Sequence, residues 1–229
     1  MFSQVPKRYD FLNRLFTLGM DQRWRKLAAG ICLENNPRRI MDLCSGTGDL
    51  AIEIAKRAGV TTEIISADFC EPMLEQARRK AARLGLEERI KFRLADAACL
   101  PFADSYFDAV GIAFGFRNLT FKNPRTEIYL KEIRRVIAPG GKLVIIETSQ
   151  PDSIFLRWLV HLYLRLIVAP VGKAISGHPA AYGYLAYSAR NYYRPADVRD
   201  LLSRSGFGSV RHIPLWQGIA AIHIAEIAS

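Results

Sequence analysis

The sequence predicts an α/β fold: a doubly wound, mostly parallel, seven-stranded sheet with N-terminal helices and a helical insertion after the fifth strand. Three observations carry that expectation. Apolar strand-like runs alternate with helical patterns from about Arg39 to Glu147. The first three runs each end in an acid. Val210 to Leu215 and Ala220 to Ile227 read as a closing strand pair. With 229 residues, half of them hydrophobic, the chain can build one large domain with a sizeable core.

The elements follow in order. Residues 1–35 read as a helical cap that carries Tyr9, Phe11, Phe16 and Trp24. Arg39-Ile40-Met41 reads as the first strand and ends in Asp42. The turn Asp42-Leu43-Cys44-Ser45-Gly46-Thr47-Gly48-Asp49 leads into a helical pattern of Leu50, Ile52, Ile54 and Ala55. Gly46 and Gly48 permit positive φ and remove the Cβ atoms that would keep a nucleotide-like ligand away from the backbone. Gly46-x-Gly48-x-x-Ala51 also fits a relaxed dinucleotide fingerprint. Glu63 to Ala67 forms the second strand and ends in Asp68, a carboxylate suited to accept both hydrogens of a ribose diol. Pro72 suits the first turn of a helix from Glu71 to Ala77. Ile90 to Ala95 forms the third strand; there Asp96 can take an adenine amino proton while the Ala97 N–H meets a ring nitrogen, with Phe69 or Leu100 as a wall. Phe107 to Val110 leads into the fourth strand. Glu127 to Ile137 carries a helical apolar stripe, and Pro139-Gly140-Gly141 stops it. Lys142 to Glu147 is the fifth strand, and Pro195 to Arg204 a helix ended by Gly206.

Residues 152–193 stand outside this frame as a substrate-side insertion. The run Ile154 to Ala169 is apolar except for Arg157, His161 and Arg165, which are spaced by four and share one stripe of a helix. Its arginines and the following Pro170 make it a poor membrane span. It reads instead as a packed helix with one wet edge, or as an apolar wall that meets a lipid-like tail or the bilayer interface.

Composition narrows the partners. A net charge of +10 suits a polyanion, either nucleic acid or an anionic membrane surface. The four cysteines, Cys32, Cys44, Cys70 and Cys99, make no C-x-x-C, so neither a metal centre nor a disulfide framework is expected. They point to a reducing compartment. Met1 to Lys7 has no apolar core of a signal peptide, which points to the cytoplasm.

Acids at the ends of strands one, two and three, in this register, resemble a class I S-adenosylmethionine-dependent methyltransferase, a Rossmann-like fold. More specific elements narrow the likeness: Phe2-Ser3-Gln4-Val5-Pro6-x-x-Tyr9-Asp10-x-x-Asn13 with Asp21-x-x-Trp24-Arg25, then Phe114-Gly115-Phe116-Arg117-Asn118, then Tyr182-x-Tyr184-Leu185-x-x-Ser188. On these the chain resembles the demethylmenaquinone and polyprenyl-benzoquinol C-methyltransferases, the MenG/UbiE family. It departs at Ala113, where that family commonly carries a serine. The resemblance implies S-adenosylmethionine as cofactor, with Thr47, Asp68, Asp96 and Ala97 among its contacts. It implies methylation of a polyprenyl quinol ring, demethylmenaquinol in the first place and a ubiquinone-pathway benzoquinol in the second. It also implies a cytoplasmic enzyme working at the inner face of the membrane, and it leaves room for a homodimer.

The chemistry names further residues. A quinol carbon becomes nucleophilic when a ring hydroxyl ionises, which costs roughly 4 kcal/mol at pH 7 for a pKa near 10. Arg117 is placed to hold the developing oxyanion, Asn118 to orient the second ring oxygen, and Tyr184 or His178 to relay a proton through water. Asp42 would organise the turn and the methionine end of the cofactor. An NAD-dependent oxidoreductase is disfavoured by Asp42 and the acid-ended third strand. An amino-methylating nucleic-acid enzyme would carry Asn/Asp-Pro-Pro-Tyr/Phe where Gly115-Phe116-Arg117-Asn118 stands, so no nucleic-acid partner is expected. A non-catalytic partner subunit that binds the cofactor or a lipid is the remaining alternative.

Overall fold

A computed structural model describes residues 14–176 and 179–228, with backbone alone for 174–176 and 179–182. The chain order is α1 (Met20–Cys32), β1 (Arg39–Leu43), α2 (Asp49–Ala55), β2 (Glu63–Asp68), α3 (Glu71–Arg83), β3 (Lys91–Leu94), β4 (Phe107–Ala113), α4 (Phe116–Thr120), α5 (Thr126–Val136) and β5 (Ile137–Thr148). Then come α6 (Ile154–Tyr163), a π-helical turn (Leu164–Val168), α7 (Ala169–Ser176), α8 (Pro179–Arg190), α9 (Pro195–Arg204), β6 (Val210–Leu215) and β7 (Ala220–Glu226).

The seven strands form one sheet in the order β3-β2-β1-β4-β5-β7-β6. Strands β1 to β5 pair in parallel, while β7 runs antiparallel between β5 and β6. The seven-stranded, mostly parallel expectation therefore holds. Alternate residues of each strand feed opposite layers, as a pleated strand requires. Met41, Ile65, Val110 and Leu143 pack with Leu130 and Ile133 of α5 and Leu202 of α9. Ile40, Ile64, Ala109 and Val144 pack with Ala28 and Cys32 of α1 and Leu50 of α2. The strand order reverses beside β1, and that reversal opens a crevice at the carboxyl ends of β1 and β4.

One local expectation needs correction, and two features go beyond the sequence pattern. Pro139-Gly140-Gly141 does not separate a helix from a strand; β5 already begins at Ile137 and runs through it. Gly140 adopts φ +74° and donates its N–H to the Ile227 carbonyl, so the glycines form a kink inside a strand. The segment after β4 is a short helix, α4, which the sequence pattern did not announce. Finally, the insertion helix continues past Pro170. The preceding π-helical turn already breaks the regular ladder: the Ala169 N–H bonds back to the Leu164 carbonyl, five residues away. Proline, which lacks an N–H, is tolerated beside such a turn. The helix thus extends over 20 residues, Ile154–Lys173, long and apolar enough to cross a membrane by length and composition.

Candidate active site

A cavity of about 360 Å³ lies over the carboxyl ends of β1, β2 and β4. Its floor is the turn from Leu43 to Asp49, where Cys44, Gly46 and Gly48 all take positive φ (+54°, +55° and +77°). Asp68 organises this turn. Its Oδ2 accepts the Gly46 N–H at 2.8 Å and its Oδ1 the Cys70 N–H at 2.9 Å. Burial pushes the Asp68 carboxyl above its ordinary range, against the pull of those N–H donors.

The two glycines do different work. A Cβ on Gly46 would meet nothing within 4 Å, and Gly46 lines the cavity. A Cβ on Gly48 would lie 2.9 Å from the Ala77 Cβ, and Gly48 is not in the lining. The expectation that both glycines admit a ligand is corrected for Gly48, which admits helix α3. Asp42 organises the turn from beneath. It is fully buried, lines neither cavity described here, and its Oδ2 accepts the Ala51 N–H at 2.9 Å, tying down the first turn of α2. Burial pushes it up to about 8, with the Ala51 N–H and the Arg25 charge pulling down.

The other cofactor candidates converge on this cavity. Thr47 lines it and accepts from Lys80 Nζ at 3.1 Å, and Lys80 also pairs with Asp49 at 2.6 Å. Asp96 and Ala97 line the far end; Asp96 Oδ1 takes the Ala98 N–H at 2.9 Å and its Oδ2 faces Arg125 at 3.4 Å. Phe69 is 66% exposed and forms a flat wall. Ala113 lines the cavity without a polar group to offer. Asn118 lines it too, and its buried Oδ1 has no hydrogen-bond partner among the described residues. A nucleoside fits this donor set: two carboxylates for hydroxyls and an amine, an aromatic wall for a base, and an orphaned acceptor opposite.

A second cavity of about 370 Å³ adjoins the first. Its walls are apolar, built from Trp24, Leu159, Tyr163, Val168, Leu185 and Trp216 among others. Among its polar lining residues are Asp21, Arg25, Arg117 and Thr148. Arg117 is 4% exposed and pairs with the fully buried Glu147: Nη1 lies 3.0 Å from Oε1, and the Arg117 N–H donates to Oε2 at 2.9 Å. Arg117 Nη1 also donates to Thr148 Oγ1 at 2.7 Å, while Nε has no partner among the described residues. Arg25 and Phe114 line both cavities, and the guanidinium sits 5.0 Å from the Phe114 ring centroid. They form the partition.

The structure thus brings Arg117 to the apolar cavity and Asn118 to the first cavity, on either side of one partition. It does not bring Tyr184 to either. Leu185 and Ala189 are four apart on α8 and face the apolar cavity, and Tyr184 points away from that stripe. His178 and the Phe2 to Asn13 element lie outside the described residues. Sequence reasoning missed Glu147 and Thr148, although an acid closing the strand beside β4 was a readable signal. It quoted Asp21, Trp24 and Arg25 without giving them a role.

Gly115 admits no side chain. A Cβ there would lie 2.6 Å from the Cys44 Cβ. Gly115→Ala should therefore force the two positive-φ segments apart and lower stability by about 1–3 kcal/mol. A thermal melt checks this, and an unchanged transition would refute the close packing of the two loops.

Comparison with known proteins agrees with this geometry. The model of the ubiE/COQ5 methyltransferase family matches residues 1–226. A demethylmenaquinone methyltransferase from Thermus thermophilus is 44% identical over 226 residues, covering 99% of each chain. One from Deinococcus radiodurans is 38% identical, over 99% of this chain and 90% of that one. A ubiquinone/menaquinone biosynthesis C-methyltransferase UbiE from Geotalea uraniireducens is 34% identical, over 99% and 94%. Among solved structures, a SAM-dependent methyltransferase from Aquifex aeolicus superposes with TM-score 0.59 at 20% identity, covering 83% of this chain and 82% of that one. Human N-acetylserotonin methyltransferase, solved with SAM, gives 0.65 at 18% identity over 97% and 56%. At these identities the two structures establish the fold.

Proposed function

The chain belongs to the ubiE/COQ5 methyltransferase family and is an S-adenosylmethionine-dependent methyltransferase; on that premise we propose that it methylates a ring carbon of a polyprenyl quinol, demethylmenaquinol before a benzoquinol. The observation that carries the proposal is the pair of adjoining cavities. One suits a nucleoside, the other is apolar with a few polar groups, and among the described residues only Arg25 and Phe114 line both. The ring preference follows the two relatives at 44% and 38% identity, both named for demethylmenaquinone.

When bound, S-adenosylmethionine supplies an electrophilic methyl group on a sulfonium sulfur. Asp68 would hold the ribose hydroxyls, Asp96 and the Ala97 N–H the adenine, and Gly46 and Thr47 the turn beneath. Phe69 would cover the base. On the other side, apolar walls exclude water from the quinol ring and strengthen every charge interaction there. Arg117 offers its guanidinium to a ring oxygen while Glu147 fixes its direction. Glu147, bonded to both the guanidinium and the backbone N–H of Arg117, holds it as a positioned donor. Asn118 lines the cofactor cavity, where its orphaned Oδ1 would accept from the cofactor. Incubating the protein with methyl-labelled S-adenosylmethionine and each quinol, then identifying the product, tests the proposal. No labelled quinol from either ring type would refute it.

The helix α6 and its extension support a membrane-surface location. One side lines the apolar cavity through Leu159, Val160 and Val168. The other exposes Ile154, Phe155, Trp158 and Leu166, at 76%, 69%, 57% and 60%. Basic Arg165 and Lys173 are exposed beside it, and each such residue adds about 1 kcal/mol near an anionic surface. The chain should bind anionic vesicles at low salt and leave them at high salt. Phe155→Ser with Trp158→Ser should weaken binding without lowering the melt. Absence of vesicle binding at low salt would remove the surface reading, and binding that survives high salt would favour a spanning helix.

A further inference from the structure

The proposed methylation needs one ring oxygen stabilised as an anion, and a quinol has two oxygens on opposite sides of the ring. Arg117 with Glu147 meets one of them in the reading above. The apolar cavity contains a second buried arginine–carboxylate pair. Asp21 and Arg25, on the first turns of α1, are 2% and 6% exposed and bonded to one another. Asp21 also accepts from Thr17 Oγ1 at 2.9 Å and from Gln22 Nε2 at 3.3 Å. Both residues line the cavity.

A buried ion pair is a poor way to hold a helix in place. Removing two charges from water costs more than their attraction returns, and apolar residues of similar volume pack at least as well. The position of this pair suggests a different use. Arg25 lines both cavities and covers the face of Phe114, which itself adopts φ +60° to stand there. A methyl group passing from one cavity to the other must pass this partition, so the reacting ring carbon and its neighbouring oxygen must come to rest beside Arg25. Its charge also reaches the cofactor turn, where it acts on Asp42 and Asp49.

We propose that Arg25 is the cation that stabilises the ionised ring oxygen next to the methyl-accepting carbon, and that Asp21 is the tether that aims it and moderates its charge. This rests on the quinol reading of the apolar cavity. It assigns the two ring oxygens to two arginines that approach from different elements, α1 and α4.

The assignment makes predictions of opposite sign for the two members of the pair. The probe is 4-methoxy-1-naphthol, a tailless quinol analogue with one ionisable hydroxyl whose phenol and phenolate absorb differently. Its apparent pKa is read by spectrophotometric titration when bound to the full chain. Arg25→Met should raise the bound pKa relative to wild type by about 1–3 units, the range for loss of one adjacent opposite charge. Arg25→Lys, which keeps the charge, should retain part of the effect. Asp21→Asn, which uncovers the cation, should lower it. Turnover of Arg25→Met should fall roughly 100-fold with a smaller change in KM. The melt of Arg25→Met paired with Asp21→Leu should stay near wild type, because an apolar pair replaces the ionic one. If a single variant does not melt cooperatively, the remaining ones give the same comparison. A bound pKa that does not move in Arg25→Met overturns the proposal, and so does a rise in Asp21→Asn. Failure of wild type to bind the analogue at all would instead overturn the quinol reading beneath it.

Discussion

Arg117→Ala should abolish most turnover and lower stability by about 3–5 kcal/mol in one step. The loss of stability comes from Glu147. It is fully buried, and Arg117 supplies two of its hydrogen bonds, one from the guanidinium and one from the backbone N–H. Truncating the arginine leaves a carboxylate without its countercharge in a layer where water does not reach. The ring oxygen loses its donor at the same time. Arg117→Met with Glu147→Leu separates the effects: the paired change should regain most of the lost stability, because no orphaned charge remains, and stay inactive. Affinity for S-adenosylhomocysteine should hardly change in either variant, since Arg117 lines only the apolar cavity. Denaturant melts, calorimetry and a methyl-transfer assay measure the three quantities. A single variant as stable as wild type would contradict the burial of the pair, and one that turns over normally would remove Arg117 from the chemistry.

Asp68→Ala should weaken S-adenosylhomocysteine binding about 100- to 1000-fold, more than the loss of one sugar contact. Charge-assisted bonds to a ribose contribute about 1.5–3 kcal/mol. Asp68 also accepts the N–H groups of Gly46 and Cys70, so truncation releases the turn that forms the cavity floor. Asp68→Asn keeps the shape and loses the charge, and it should fall between wild type and Asp68→Ala. Calorimetry gives the three dissociation constants. A change below tenfold for Asp68→Ala would mean that the carboxylate shapes the turn without touching the ligand.

The frame of the fold was legible because parallel strands buried on both faces read as short apolar runs, and because each ends at the same edge of the sheet. Asp68 and Asp96 follow from that geometry: a polar residue at the end of an apolar run points into the crevice. Gly48 shows where the reading stops. Its spacing suggests a ligand, yet its missing Cβ makes room for Ala77, 29 residues away in sequence and in contact only after α3 packs. Asp42 marks the same boundary, because a carboxylate that ties down a helix and one that meets a ligand look alike in sequence. Tyr184 was out of reach for another reason. A rotation of 100° per residue separates a cavity-facing position on α8 from its neighbour, and a motif does not reveal which is which. The Arg25–Phe114 partition depends on two loops and a helix meeting, which no local pattern encodes.

The position of β7 has a consequence for how the protein is made. It follows every other strand in the chain, yet it sits between β5 and β6, paired with β5 through seven residue positions from Lys142 to Thr148. Until β7 emerges from the ribosome, β5 is an open edge. Leu143, Val144, Ile145 and Ile146, which have no exposure in the finished molecule, would stand beside unpaired backbone. Five parallel strands and their helices can collapse before then, but they cannot close. Such an intermediate is a template for pairing with another nascent chain. The adjacent helix α6, apolar on two sides, adds to the hazard. Synthesis close to a membrane or a chaperone would shorten the interval during which both surfaces face water.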